Sequence, residues 1–206
     1  MSFYDDRVLP ICINAACGSR AITAERRKVV PLARGRVLEV GMGSALNLPF
    51  YDPGKVEWVW GLEPSAGMRR KARHNLERSP IDVRWLDLPG EQIPLEDHSV
   101  DTVLLTFTLC TIPDWRSALA QMHRVLKPDG QLLFCEHGLA PDASVQRWQN
   151  RINPLWKKLC GGCNLNRPTT QSLETGGFRV TELSKAYLPK TPRFAGYLSR
   201  GLAVPA

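Results

Sequence analysis

The run from Val37 to Tyr51, VLEVGMGSALNLPFY, constrains this chain more than any other. Val37-Leu38-Glu39-Val40 is a short apolar segment that reads as a buried parallel strand. Gly41 and Gly43 follow at once. A glycine turn after such a strand lets the backbone come close to a ligand. The segment after it reads as the start of a helix, whose free N–H groups would face that ligand. The dinucleotide fingerprint needs a third glycine where Leu46 stands. The pattern E-x-G-x-G-x-A is therefore a different ligand turn, or a tight connection with no ligand.

The next eighty residues favour the ligand. Val56 to Leu62 forms a second apolar strand that ends at Glu63, about 20 residues beyond the glycines, where this architecture holds ribose hydroxyls. Glu63 also reads as an acid at a helix start, since Pro64-Ser65 opens a basic helix. A third strand is expected over 82–86 and a fourth from Val100 to Phe107, apolar enough to be buried on both faces. The end of that fourth strand, Thr106 to Thr111, falls where parallel sheets place their ligands. A helix from Ala118 to Leu126 stops at Lys127-Pro128-Asp129-Gly130, and a fifth strand runs from Gln131 to Glu136.

These motifs resemble class I S-adenosylmethionine (SAM) methyltransferases. The stretch DLPGEQIPLEDHSVD matches a pattern of that family at Gly90, Glu91, Pro94, Asp97, Ser99 and Asp101, and MHRVLKPDGQLLFCEH matches its fifth-strand region. The resemblance implies SAM as cofactor. Glu39 would face its amino-acid end, with Gly41 and Gly43 packed against it. Glu63 would hold the ribose, Gly90 and Glu91 the adenine, and Thr106 would lie beside the sulfonium. Pro89 departs from the family, which usually has Asp there, so Asp87, Glu91 or the backbone must meet the adenine amino group.

The expected fold is α/β, a doubly wound, mainly parallel, seven-stranded sheet of the Rossmann-like class I type. A chain of 206 residues suits one domain. It divides into an N-terminal helical cap (1–30), a SAM-binding core (35–137) and a substrate-facing, sheet-completing part (138–206).

No apolar run approaches the roughly 20 residues that span a bilayer, and Asp5, Asp6 and Arg7 fall where a signal peptide would be apolar. The expectation is a cytoplasmic protein with reduced cysteines. Cys160 and Cys163 have the spacing of half a zinc site that Cys12 and Cys17 would complete, but the fold needs no metal and none is expected. Charge is uneven: residues 1–146 carry 17 basic and 18 acidic side chains, residues 147–206 carry 10 and 2. No nucleic-acid module accompanies that excess. Trp148, Leu155, Trp156 and Leu159 share the region, which makes an anionic membrane surface the expected peripheral partner. Phe3, Val8, Leu9 and Ile11 form a short amphipathic segment expected to cover the substrate pocket.

Beyond the fifth strand the chain resembles a narrower group, the methyltransferase-like proteins that methylate small thiols. The residues that carry this are Glu136-His137, Trp148-Gln149, Pro154, Trp156, the run Gly162-Cys163-Asn164-Leu165 and Arg167. Those proteins carry an N-terminal hydrophobic anchor that is not seen here. The expected reaction is methyl transfer to the sulfur of a small lipophilic thiol. His137 is the candidate to accept or steer the thiol proton, and Cys110, Asn164 and Arg167 are candidates to line the acceptor pocket. Two alternatives remain: N-methylation of an amine such as phosphatidylethanolamine, and a non-catalytic SAM-binding module.

Overall fold

A strand covered on both faces needs apolar side chains at successive positions rather than alternating ones. That is how β1 (Gly35–Val40) and β4 (Val100–Thr106) are built: Val37 to Val40 and Thr102 to Thr106 are buried without a break. A computed structural model describes residues 4–206, apart from the side chains of Asp5 and Asp6, and sets these two strands side by side at the centre of one sheet. The remaining strands are β2 (Val56–Leu62), β3 (Val83–Leu86), β5 (Leu126–His137), β6 (Phe178–Tyr187) and β7 (Tyr197–Pro205). Their order is β3-β2-β1-β4-β5-β7-β6. Pairing is parallel from β3 through β5, and β7 runs antiparallel to both β5 and β6. The expected seven-stranded, mainly parallel sheet is thus present.

Helices cover both faces. They are α1 (Leu9–Cys17), α2 (Arg20–Val29), α3 (Ala66–Leu76), α4 (Trp115–Val125), α5 (Ala143–Leu159), α6 (Thr169–Thr175) and a single turn, α7 (Arg193–Gly196). On one face, Ala118, Leu119 and Met122 of α4 and Leu173 of α6 pack against Leu38, Val103 and Phe134. On the other, Val29 of α2 and Ala72 of α3 pack against Val37, Val59 and Leu133. Strand order reverses between β1 and β4, and parallel sheets bind ligands in the crevice at such a point.

Two local expectations change. The glycine turn does not lead into a helix. Ala45 adopts a left-handed φ of 59°, and only the short 3-10 turn Leu48–Phe50, with Pro49 inside it, follows. A proline donates no N–H, and a left-handed residue breaks helical continuity. The cradle here is therefore the turn itself, not a helix N-terminus. The fifth strand also begins early, because Leu126 already pairs with Val100. The Lys127–Gly130 turn then bulges out, and the ladder resumes where Gln131 meets Thr102. Among the described residues no helix is long and apolar enough to cross a membrane. Phe3, assigned above to a pocket cover, lies outside the described residues.

Candidate cofactor and acceptor site

A cavity of about 330 Å³ opens at the carboxyl ends of β1, β2 and β4. Gly41, Gly43, Glu63, Gly90, Glu91 and Thr106 all line it. Gly41 and Gly43 both have positive φ, 68° and 60°, which glycine adopts without strain. A Cβ on Gly41 would run into the Thr108 side chain, so the turn and the end of β4 fit together only because that position is bare.

The second strand's carboxylate is fastened to this turn. Glu63 Oε2 accepts from the Gly43 N–H at 2.9 Å and Oε1 from the Ser65 N–H at 2.8 Å. The side chain thus braces a helix start, one of the two roles read from the sequence, and lines the pocket where the other would be exercised. Each carboxylate oxygen keeps a lone pair for a further donor. Burial raises the Glu63 pKa, and the two backbone bonds oppose that rise.

Of the residues expected near the adenine, not all reach the cavity. Asp87 is taken by a two-point ion pair with Arg69 and does not line the cavity. Glu91 does line it, while its Oε1 accepts from the Asp114 N–H at 3.2 Å. Pro89 and Gly90 complete this wall, with Gly90 set against Val40 and Ile112.

Glu39 is 1% exposed and is not among the lining residues. Its carboxylate accepts from Tyr51 Oη at 2.6 Å and Asn47 Nδ2 at 2.8 Å. Burial, against those two bonds, lifts its pKa to about 7. Asn47 also donates to Thr106 Oγ1 at 2.9 Å. Arg26 of α2 closes this network, donating to Asn47 Oδ1 at 2.6 Å and Thr106 Oγ1 at 2.9 Å. Sequence reasoning missed Arg26. It is 5% exposed, lines the cavity, and its Nε has no partner. Among the described residues no carboxylate lies within ion-pair distance of it. A buried cation with an unmet donor suits a ligand carboxylate. The amphipathic helix RAITAERRKV held a signal, since Arg26 shares its inward face with Ile22 and Val29, but nothing in the sequence aimed that face at the cavity.

The acceptor candidates stand one layer back. Cys110, His137, Asn164 and Arg167 do not line the cavity. Asn164 Nδ2 donates to Cys110 O at 2.8 Å, and Arg167 Nη2 donates to Ile112 O at 3.0 Å. Both thus hold the 110–112 backbone, and Thr111, Ile112 and Pro113 form the wall in front. His137 stacks on Phe107, ring centroids 6.4 Å apart, and Phe107 is the one facing the cavity. Burial disfavours its charged form most strongly, but a contact with Cys163 Sγ at 3.2 Å, together with the charges of Cys163 and Glu136, leaves its pKa raised. The outer wall comes from α1, through Leu9, Pro10, Ile13 and Cys17.

The comparisons with known proteins agree with this geometry. Residues 38–134 match a family described as a methyltransferase domain. The chain is 33% identical over 175 residues to the human protein named thiol S-methyltransferase TMT1B, covering 80% of this chain and 71% of that one. The chain belongs to the class I SAM-dependent methyltransferases. A protein of Cereibacter sphaeroides named phosphatidylethanolamine N-methyltransferase is 30% identical over 107 residues, about half of each chain. Among solved structures, a SAM-dependent methyltransferase from Aquifex aeolicus superposes with a TM-score of 0.67 at 20% identity, covering 96% of this chain and 98% of that one. The methyltransferase takes SAM as its cofactor, which supplies an electrophilic methyl group when bound. The residues present fit it: bare glycines at the turn, the Glu63 carboxylate beside them, and the unmet Nε donor of Arg26 for an amino-acid carboxylate.

Proposed function

We propose that this enzyme transfers methyl to the sulfur of a small lipophilic thiol. The observation that carries the reading is the apolar lining of the cavity, to which Leu9, Pro10 and Ile13 of α1 contribute with Ile112 and Pro113. An amine acceptor calls for an acid or an aromatic cage near its cation. The acids lining the cavity, Glu63 and Glu91, are the ones we assign to the ribose and the adenine of the cofactor. The human relative's name points the same way.

Methyl transfer needs its nucleophile in line at about 3–3.5 Å. We assign that positioning to the α1 cover and to the 111–113 wall, held from behind by Asn164 and Arg167. A water-poor surface suits the step, since the negative charge of the thiolate and the positive charge of the sulfonium cancel as the new S–C bond forms and the old one breaks. The thiol proton departs beforehand, because the thiolate is the nucleophile. His137, set behind Phe107, acts on the site through its neighbours rather than by touching the acceptor.

The test is product identification by mass spectrometry after incubation with SAM and a panel of alkyl thiols, amines and phospholipids. The expected product is a methyl thioether from several small thiols, because apolar pockets discriminate weakly between methylenes. Its rate should rise with pH until the bound thiol is ionised. Methylated phosphatidylethanolamine without any thioether would give the function to the amine reading instead.

A further inference from the structure

Behind the cofactor cavity three soft donors meet. Cys163 Sγ lies 3.6 Å from Cys110 Sγ and 3.2 Å from His137 Nε2, and all three atoms fall within 4.8 Å of one another. They come from three places in the fold: the turn after β4, the last residue of β5 and the loop after α5. Cys110 is 2% and Cys163 8% exposed. His137 Nδ1 is buried and has no partner. The pairing considered from sequence spacing does not form this group: Cys12 is exposed, and Cys17 and Cys160 are not part of it.

We propose that Cys110, His137 and Cys163 are the protein ligands of a thiophilic divalent cation, zinc in the first instance. Zinc bonds of about 2.3 Å to sulfur and about 2.0–2.1 Å to nitrogen place tetrahedral donors roughly 3.4–3.8 Å apart. The two short separations are within a few tenths of an ångström of that. The charges also match. Two thiolates and one neutral imidazole around a dication sum to zero, which removes the penalty of burying an unpaired charge. On binding, each thiol S–H loses its proton to solvent as a metal–sulfur bond forms, so uptake of the cation releases protons. A fourth position remains for water.

The site would pin the loop after α5 to the ends of β4 and β5. Gly161 of that loop and Thr111 beside Cys110 both line the cavity, so the cation would hold two pieces of the acceptor wall in register. This inference is independent of which acceptor the enzyme uses.

The experiment is a Co²⁺ titration of the full chain, stripped of metal and kept reduced, alongside elemental analysis of protein purified without chelator. The expected result is a thiolate-to-cobalt charge-transfer band that saturates at one equivalent and is displaced by one equivalent of Zn²⁺. Cys110→Ser and Cys163→Ser should each lose the band, and Cys160→Ser should keep it. Calorimetry with S-adenosylhomocysteine shows that each variant is folded. No charge-transfer band in the reduced wild type overturns the proposal. So does a band that survives Cys163→Ser but disappears in Cys160→Ser, which would put the cation elsewhere.

Discussion

Glu136 Oε1 accepts from the backbone N–H of Thr108 at 2.7 Å, and the Leu109 N–H joins it at 3.1 Å. The bond matters because Phe107, just before Thr108, has a left-handed φ of 57°. A bulky residue holds that conformation only where surrounding contacts impose it. The Phe107 N–H is tied to Cys135 O at 3.0 Å, and the carboxylate takes the next two N–H groups. A fully buried acid on β5 thus shapes the cavity wall at the end of β4.

That arrangement predicts a pH signature. Burial lifts the Glu136 pKa to about 7, against the bonds from Thr108 and Leu109. Below the ordinary carboxylate range both folded and unfolded chains are protonated. Between that range and about pH 7 the unfolded chain ionises while the folded one keeps its proton, so stability falls as pH rises. Glu39, also lifted to about 7, adds the same trend. Urea unfolding across pH 4.5–8 should show Glu136→Gln with a shallower fall than wild type, by up to about 1.4 kcal/mol per pH unit. Identical slopes would mean that Glu136 is ionised in the folded protein throughout.

Arg26 should govern affinity for the amino-acid end of the cofactor. Arg26→Gln is expected to weaken S-adenosylhomocysteine binding by about 1.5–3 kcal/mol, the scale of a charged hydrogen bond. Methylthioadenosine, which lacks that end, should bind both proteins alike. Calorimetry with the two ligands decides it: an equal loss for both would reduce Arg26 to a brace for Asn47 and Thr106.

Glu63→Ala should weaken the same ligands together, again by about 1.5–3 kcal/mol, because both carry the ribose. A loss below about 0.3 kcal/mol would leave Glu63 only its backbone bonds to Gly43 and Ser65.

The basic C-terminal third offers a membrane test. On α5, Trp148, Leu155 and Leu159 are exposed at 61%, 63% and 53%, with Arg147, Arg151, Lys157 and Lys158 exposed around them. Residues 148, 155 and 159 share one helical face. We expect co-sedimentation with anionic vesicles that weakens as salt rises and drops several-fold in Leu155→Ser/Leu159→Ser. Equal binding to neutral vesicles at low salt would rule out electrostatic docking.

The parallel core was legible because burial on both faces writes itself as unbroken apolar runs, and β2 was read to the residue. The glycines and Glu63 were legible because short-range spacing sets them. Arg26, Glu136 and the Cys110–His137–Cys163 group were not, since each acts through contacts between distant segments. Arg26 reaches Thr106 across 80 positions, and Cys163 reaches Cys110 across 53. A local pattern cannot encode such meetings. The helix expected after the glycine turn failed for a local reason, the left-handed Ala45 followed by Pro49, whose rigid ring the spacing argument overlooked.

Helix α1 has two working sides. Leu9 and Ile13 face the cavity, and Leu9 rests on Gly161, where a Cβ would lie 2.9 Å from its Cδ2. Ile11 points outward at 57% exposure, and Tyr4 just upstream donates to Leu159 O at 2.7 Å, at the end of the exposed α5 face. The side of α1 that lines the cavity therefore adjoins the exposed apolar face of α5. If that face docks on a bilayer as predicted, the proposed lipophilic acceptor would reach the cavity from the leaflet rather than through water, and turnover in bulk buffer would understate what the enzyme does beside a membrane.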